Sequence, residues 1–507
     1  MTTTHTGRRL IELALQSWRP SVVDAVTRGE RFAGAYCSHA GDMVWLHALL
    51  VDADGPRCIR TRIEPDGYGR LSYPALTPDV PAAFWYERAL HDLSDVTPTG
   101  HPRLDSLLLA RDTDQPAPQP GAAQVAALAR HHHSQAAEHR GPVDVSGPGV
   151  FTLPLGPVRS GVYESIEFLI ETTGESIPHL NIRPQYKHRG IAKRFEDHTI
   201  DDGVLVAERV EGVASVAHAL AFAHACETLG DVVVPLRARL LRVVHAELER
   251  IANHLDVVAR LCEAAGLAVP LARFGWHKES VMRIVSAMCG SRFGRSVVCP
   301  GGVAAPPRIE PVAVNHRLQS VSDRINADER MLMTDSTFLD RLRGTGRLDP
   351  QLAASHGTLG PVGRGSGCTD DARLRPYDGY VDLPPVSVAV EHRCDVQARL
   401  QVRFDEIAAS ARLVRQACSR LAGMQDQPLS VALPPLLSGY AMGWVEAPQG
   451  EVLYGLDLRD GAVSRCFARS ASLHNMLLFH DVFNGDIFTD FPFIEASFGL
   501  SYAGVAM

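Results

Sequence analysis

Residues 207–227, AERVEGVASVAHALAFAHACE, form the stretch around which the rest of the chain is organised. The stretch is rich in alanine, contains no proline and has one glycine near its start, so it predicts a single helix. Glu211, Ser215 and His218 are its polar exceptions, and spacings of four and three residues predict that they share one face. Burying a carboxylate or an imidazole without a partner is costly, so this stripe predicts either a polar site or a core helix with internally paired polar groups.

The composition indicates an ordinary globular protein of more than one domain. At 507 residues the chain is long enough for two or three domains, and 45% of its residues are hydrophobic. The net charge is −8, with acidic and basic residues mixed throughout. Because a nucleic-acid-binding protein needs a basic face, this balance argues against nucleic acid as a partner.

The ten cysteines do not form a recognisable framework. No two of them stand in a CxxC or CxxxC arrangement, which excludes the familiar zinc and iron–sulfur patterns and favours reduced thiols in a cytosolic protein. The first 18 residues lack the apolar core of a signal peptide, and no run of about 18 apolar residues predicts a membrane span. Attachment to a membrane would therefore depend on partner subunits.

Residues 1–112 are predicted to form a small α+β domain, with strands over residues 43–51 and 57–63. Its most distinctive text is residues 73–109, YPALTPDVPAAFWYERALHDLSDVTPTGHPRLDSLLL. This string resembles the 30-kDa-type subunit of respiratory complex I, although Ala89 and Ser106 depart from that pattern. The resemblance implies a docking domain that holds no cofactor.

Residues 113–149 are rich in proline, glycine and histidine and are predicted to be a linker between domains. The run His131-His132-His133 is a candidate metal ligand, but no cysteine or carboxylate lies beside it in the sequence. A solvated loop is therefore the favoured interpretation of this run.

Residues 150–507 are predicted to form an α+β domain with a long-helix core and small flanking sheets. Residues 151–163 and 165–172 predict a strand pair. Apolar residues at intervals of three and four predict a long helix over residues 236–265, and further helices are predicted over 279–293 and 396–423.

Eight motifs in this part follow one another in the order seen in a single superfamily. They are GPVRSGVYE (156–164), YKHRGIAKRFE (186–196), ERVEGVASVAHALAFAHACE (208–227), HAELERIANHL (245–255), GTLGPVGRGSG (357–367), RPYDGY (375–380), WVEAPQGEVLY (444–454) and DFPFIEASFGLSYAG (490–504). The chain thus resembles the 49-kDa-type subunit of complex I and the large subunit of membrane-bound, energy-converting [NiFe] hydrogenases. Its fusion to a 30-kDa-like domain resembles the large subunit of formate hydrogenlyase and hydrogenase-4 complexes.

In the hydrogenases that the chain resembles, nickel is bound by two pairs of cysteines, and the residues at those positions can be compared in this sequence. Glu211 and Ala214 stand where the first pair would be, and Ser501 and Gly504 stand at about the places of the second. A nickel–iron centre needs four soft thiolate ligands, so the sequence predicts no metal site in this chain.

The complex I relatives use the corresponding cavity as the head of a quinone site. The positions of their quinone-side histidine and tyrosine are occupied here by Tyr163 and Gly212. A phenol can donate and accept a hydrogen bond, so Tyr163 could still bind a quinone; the alternative is a closed or water-filled cavity. Glu164 matches an acidic residue near the hydrogenase metal site. Glu164, Glu211 and His218 are therefore predicted to form a proton relay.

Alternatives remain for two of these acidic and basic groups. Glu164 could instead form an ion pair with an arginine such as Arg209 or Arg183. The loop around Arg364 lacks the lysine of a phosphate-binding loop. By resemblance Arg364 lies close to the cavity, where it would meet a carboxylate or the partner subunit.

Together these features predict a subunit of a complex-I-like oxidoreductase, either NADH:quinone oxidoreductase-like or hydrogenase-like. This chain would hold no cofactor itself. By resemblance a partner small subunit with a [4Fe–4S] cluster would supply electrons to quinone or another acceptor, and antiporter-like subunits would attach the chain to the cytoplasmic face of the membrane. Two alternatives are a non-catalytic scaffold and, less favoured, an active hydrogenase. The sequence identifies neither the electron donor nor any pumped ion.

Overall fold

The computed structural model describes residues 9–40, 43–108, 145, 147–159, 164–483 and 485–507. These residues divide into two compact units, one formed by residues 9–189 with 505–507 and the other by residues 190–504. The domain boundaries drawn from the sequence at residues 112 and 149 stay predictions. Most of the predicted linker, including its three histidines, lies outside the described residues.

The first unit combines three small sheets with two helices. The longest sheet has strand order β1-β4-β3-β2, β5 pairs with β6 in parallel, and β7-β8-β9 is antiparallel. Its elements are β1 (Leu10–Leu13), α1 (Leu15–Thr27), β2 (Arg31–Ala40), β3 (Met43–Asp52), β4 (Gly55–Ile63), β5 (Leu71–Pro74), α2 (Phe84–Ser94), β6 (Val96–Thr99), β7 (Phe151–Leu155), β8 (Glu167–Thr172) and β9 (His179–Arg183). The predicted strands in β3 and β4, and the predicted pairing of β7 with β8, are confirmed.

Charged residues of the distinctive string in residues 73–109 hold this unit together. Glu87 is fully buried on α2 and accepts the backbone N–H groups of residues 76 and 77 at 2.7 and 2.9 Å. Asp92, one and a half turns further on, accepts those of residues 107 and 108 at 2.6 and 2.8 Å. Two carboxylates on one helix thus satisfy backbone groups of two loops, a structural role that needs no cofactor.

The second unit is built around long helices flanked by one three-stranded antiparallel sheet, β12-β13-β14. Its helices are α3 (Ile191–Phe195), α4 (Ile200–Ala207), α5 (Ser215–Gly230), α6 (Leu236–Ala264), α7 (Ala268–Cys289), α8 (Pro311–Leu332), α9 (Ser336–Leu342), α10 (Pro350–His356), α11 (Gly360–Arg364), α12 (Val396–Leu421), α13 (Ala471–Met476), α14 (Phe491–Phe498) and α15 (Tyr502–Val505). Its strands are β10 (Val298–Cys299), β11 (Gly302–Val303), β12 (Gly439–Ala447), β13 (Gly450–Arg459) and β14 (Ala462–Arg469). The α+β class with a long-helix core is confirmed.

Two of the three predicted later helices are confirmed, and one begins earlier than predicted. α6 and α12 match the predicted ranges to within two residues at every end. α7, however, begins at Ala268 rather than residue 279 and ends at Cys289 rather than residue 293. Its first turn contains Pro270, which a helix tolerates there because the first N–H groups have no partner within the helix.

The prediction of one continuous helix over residues 207–227 is wrong at its start. α4 ends at Ala207, and α5 begins only at Ser215. The reason lies on α6, where the carboxylate of Glu249 accepts the N–H groups of Val216 and Ala217 at 2.7 and 3.1 Å. Because this carboxylate takes the first free N–H groups of α5, the helix starts there and Glu211 stands in the turn before it.

Asp395 fixes the start of α12 in the same manner and provides a test of this part of the fold. One carboxylate oxygen accepts the N–H of Ala398 at 2.8 Å, and the other accepts that of Gly344 at 2.9 Å. Because both N–H groups would lose their partner, we expect Asp395→Ala to lower the free energy of unfolding by about 1–2 kcal/mol, measured by urea denaturation. Asp340→Ala, at an exposed helix position paired with Arg343 at 3.2 Å, should change it by less than about 0.5 kcal/mol. Equal losses in the two variants would contradict this role of Asp395.

Candidate functional site

Glu211 and His218 lie together in the interior of the second unit. Their exposed fractions are 1% and 0%. The Nε2 atom of His218 is 3.0 Å from Oε1 of Glu211, and the hydroxyl of Ser470 donates to the same oxygen at 3.1 Å. The turn before α5, the first turn of α5 and the residue after β14 thus converge on one carboxylate oxygen.

Tyr454 of β13 extends this chain of hydrogen bonds on the other side of the imidazole. Its hydroxyl lies 2.8 Å from Nδ1 of His218, and burial raises the pKa of the phenol well above its ordinary value. The phenol is therefore neutral at physiological pH. With Glu211 as a carboxylate, which can only accept, His218 donates from Nε2 and accepts the Tyr454 proton at Nδ1.

The second oxygen of Glu211 differs from the first, because Oε2 is buried and has no hydrogen-bond partner among the described residues. It faces the C-terminal segment of this unit, where a Cβ atom placed on Gly504 would lie 2.1 Å from it and 2.7 Å from the Ser470 hydroxyl. The backbone of Gly504 therefore packs against the carboxylate as closely as a residue without a side chain allows. A buried carboxylate oxygen without a donor is costly, which marks the position as a candidate for proton binding.

Glu249 brings a second carboxyl group to the same end of α5. Burial raises its pKa to about 8, and the charge of Glu211 adds to that rise. The N–H groups that it accepts from Val216 and Ala217 act in the opposite direction. Two acids close to one helix end therefore hold fewer than two negative charges near neutral pH.

The structure brings together two of the three predicted relay residues. Glu211 and His218 are in direct contact, whereas Glu164 belongs to the other compact unit and forms an ion pair with Lys187 at 3.3 Å. Of the two arginines considered as alternative partners of Glu164, Arg183 lies 2.9 Å from Glu167 and Arg209 lies 3.4 Å from Glu208. A role of Glu164 in proton transfer stays a prediction.

The two predicted quinone-side positions have different outcomes. Tyr163 lies outside the described residues. Gly212 is in the turn before α5, and a Cβ atom placed on it would meet no atom within 4 Å. The space beside Gly212 is therefore open, while its use by a quinone stays a prediction.

Arg364 lies in a buried cluster of charges. The side chain is fully buried, and its guanidinium lies 2.7 Å from Glu406, 2.9 Å from Glu446 and 3.2 Å from Asp371. Glu406 also accepts from His254 at 2.8 Å. Arg364 thus meets carboxylates, as one of the two predicted options states, and joins α11 to α12 and β12.

A second part of the cluster surrounds Glu247 of α6. This carboxylate is paired with Arg250 and Arg373 and accepts the hydroxyl of Ser410 at 2.6 Å. The two arginines lower its pKa to about 2. The charges around Glu247 and Arg364 are thus paired with opposite charges, which offsets the cost of removing them from water.

That this chain holds no nickel–iron centre stays a prediction. Among the described residues, the hydrogen-bond donors to the Glu211 carboxylate are an imidazole and a hydroxyl, and neither is a soft thiolate ligand. Within the same part of the chain, no group of three or more histidine, cysteine, aspartate or glutamate side chains is arranged to hold a metal ion. A nickel–iron centre would need cysteine thiolates in place of these groups.

The sequence alone did not identify Tyr454, Ser470 and Glu249 as members of this site. Two of them could have been found from the sequence, because each lies in a motif that carries the family resemblance: Tyr454 ends WVEAPQGEVLY and Glu249 lies in HAELERIANHL. Glu249 and His245 are one turn apart on α6, so the sequence shows that these two polar residues share a face of that helix. Ser470 gave no signal, since its contact with Glu211 joins residues 259 apart in the sequence.

Comparison with known families supports both halves of the chain. Residues 21–120 match the family described as respiratory-chain NADH dehydrogenase, 30 Kd subunit, and residues 266–435 match the one described as respiratory-chain NADH dehydrogenase, 49 Kd subunit. Within the described residues, no helix is long and apolar enough to cross a membrane.

Similar proteins include subunits of hydrogenases and of hydrogen-evolving complexes. Formate hydrogenlyase subunit 5 of Escherichia coli is 27% identical over 90% of this chain and 81% of its own length. The carbon monoxide-induced hydrogenase of Rhodospirillum rubrum is 30% identical over 60% of this chain and 85% of its own length. Among solved structures, a chain of the membrane-bound sulfane sulfur reductase, an archaeal respiratory membrane complex, shares the fold with a TM-score of 0.67 at 20% identity, covering 72% of this chain and all of that one.

Proposed function

The chain belongs to the family of complex I 49-kDa-type subunits and membrane-bound hydrogenase large subunits, and we propose that it is the fused large subunit of a membrane-associated oxidoreductase complex. In this proposal a partner iron–sulfur subunit delivers electrons to a quinone or another small acceptor that binds next to Glu211. The 30-kDa-like domain docks the chain within the complex. Antiporter-like subunits hold the complex at the cytoplasmic face of the membrane.

The observation that carries this proposal is the buried Glu211 carboxylate with one oxygen bonded to His218 and the other without a donor. Reduction of a quinone consumes two protons with its two electrons, so such a site needs groups that hold and release protons. Glu211 can take a proton at Oε2, and His218 can pass one between Nε2 and the carboxylate. Tyr454, which stays neutral, orients the imidazole through Nδ1.

Glu211→Gln tests the proposed role in the intact complex. Glutamine keeps the size of the side chain but cannot exchange a proton, so we expect quinone-dependent turnover to fall by about 100-fold or more. The measurement is the oxidation of a reduced electron donor with added quinone, followed by absorbance. Glu263→Gln, at an exposed position near the end of α6, should leave turnover unchanged. Full activity in Glu211→Gln would contradict the proposed role.

One observation favours a second candidate, a non-catalytic scaffold. Gly504 packs so closely on Glu211 that the space on that side of the carboxylate is filled by the backbone. If the wild-type complex reduces no quinone or other acceptor at this subunit, the scaffold is supported. An active hydrogenase is the third candidate, and stoichiometric nickel in the purified protein would support it against the present proposal.

A further inference from the structure

Glu249 differs from the buried pair Glu211 and His218 in its access to solvent. Glu211 and His218 have 1% and 0% of their surface exposed, whereas Glu249 is partly exposed. Glu211 and His218 therefore cannot exchange a proton with bulk water without an intermediate group. Glu249 is a carboxyl group on α6 that interacts electrostatically with Glu211.

The contacts of Glu249 place its carboxylate at the first turn of α5. The Glu211 carboxylate also contacts this turn, through His218. Glu249 accepts the N–H groups of Val216 and Ala217 at 2.7 and 3.1 Å. Ser215, which precedes Val216, donates its hydroxyl to the backbone carbonyl of Glu211 at 3.5 Å. The side chain of His218 then returns from the same turn to the Glu211 carboxylate. Both acids thus lie at one helix end, and of the two residues only Glu249 has an appreciable part of its surface exposed.

We infer that Glu249 is the acid through which solvent exchanges protons with the buried Glu211–His218 pair. The proton leaves the Glu249 carboxyl group and reaches Glu211 through water, after which solvent restores the proton on Glu249. No electron moves and no bond other than O–H breaks in this step. The inference rests on the proposed function in one respect, namely that the transferred proton is consumed when the acceptor is reduced.

The charges around Glu249 support this role. The negative charge of Glu211 opposes ionisation of Glu249, while Arg250 of α6 and the two N–H groups of α5 favour it. His245, one turn earlier on α6, is buried, and burial lowers the pKa of its imidazole to about 4, so it adds no charge near neutral pH. Burial is the largest effect and raises the pKa of Glu249 to about 8, so the acid holds its proton near neutral pH and releases it in mildly alkaline solution.

The first experiment follows the protonated carboxyl band of Glu249 by infrared difference spectroscopy of the full chain, with the band identified by its loss in Glu249→Gln. We expect half of the band to disappear near pH 8 in the wild type. In Glu211→Gln the midpoint should move to lower pH, because the charge that opposes ionisation is gone. An unchanged midpoint in Glu211→Gln would show that the two acids are not coupled and would overturn the inference.

The pH dependence of stability gives a second readout that needs no activity. The folded pKa of Glu249 is raised above its ordinary value of 4.5, so its contribution to stability is complete below pH 4.5 and is lost as pH rises towards 8. The unfolding temperature of the wild type relative to Glu249→Gln should therefore fall over that range. A constant difference between the two proteins would contradict the raised pKa.

The third measurement is turnover of the intact complex with quinone. Glu249→Gln should lower kcat by about 10- to 100-fold with little change in KM, and Glu249→Asp should restore part of the rate with a shifted pH profile. Glu263→Gln serves as the control. If Glu211→Gln abolishes turnover while Glu249→Gln keeps it, the inference fails and the proposed function stands. If the complex reduces no acceptor, the proposed function fails, and the coupled titration of the two acids decides the inference alone.

Discussion

Arg364→Met should lower the free energy of unfolding by about 3–5 kcal/mol, because it removes a positive charge that three buried carboxylates share. The guanidinium lies between Glu406, Glu446 and Asp371 at 2.7 to 3.2 Å, and the whole side chain is shielded from solvent. Methionine fills a similar volume but cannot balance the charges. The midpoint of urea denaturation of the full chain, followed by tryptophan fluorescence and limited proteolysis, measures the loss.

The effect of this substitution depends on pH in a stated direction. Arg364 holds the pKa of Glu406 well below its ordinary value of 4.5, so in the wild type this pair contributes stability above that pH and loses it as the carboxylate is protonated. The difference between wild type and Arg364→Met should therefore be largest near neutral pH and shrink as pH falls below about 4.5. Equal destabilisation at every pH would show that packing, and not charge, accounts for the loss.

Arg283→Met is the matched control for Arg364. Arg283 has 77% of its side chain exposed and pairs with Glu279 across one helical turn at 3.0 Å. An exposed pair of this kind contributes about 0.5 kcal/mol or less, because water screens both charges. If the two methionine variants lose the same stability, the buried cluster does not have the importance that its geometry implies.

Gly443→Ala is expected to separate α5 from β12 and to cost about 1–3 kcal/mol or more. A Cβ atom on Gly443 would lie 1.9 Å from the carbonyl oxygen of Ala221 and 2.6 Å from the nitrogen of Ala225, both in the backbone of α5. A helix backbone cannot yield as a flexible side chain can, so the two elements must move apart. Gly443 also pairs with Tyr454 across the sheet, so the hydrogen bond from Tyr454 to His218 should weaken as well.

Gly275→Ala controls for the general effect of adding a methyl group to a glycine. Gly275 lies within α7, and a Cβ atom placed there would meet nothing within 4 Å. Because alanine favours helix over glycine, this variant should gain about 0.5–1 kcal/mol. Thermal unfolding of both variants beside the wild type gives the comparison. A neutral Gly443→Ala would mean that α5 does not approach β12 as closely as described.

The long helices were predictable because their signal is local. The apolar residues of α6 recur every three or four positions, and this period alone gave both ends of the helix to within one residue. The class of the fold and the family followed from such periods and from the order of the motifs. The start of α5 was mispredicted because it depends on Glu249, which lies on the next helix. The Glu249 carboxylate accepts the N–H groups of Val216 and Ala217, which backbone carbonyls would accept if the helix began earlier.

The sequence by itself determined that an acid and a histidine lie near the start of α5, because Glu211 and His218 are only seven residues apart, although Glu211 is in the turn before the helix and not on its face. Only the tertiary structure decided which groups surround them. Tyr454 of β13 and Ser470, which follows β14, contact His218 and Glu211 from more than 200 residues away, and no local pattern encodes such contacts. Burial has the same origin, because the pKa of Glu249 is raised by the packing of α5 against α6, and a carboxyl group at the same place in the unfolded chain would have its ordinary pKa.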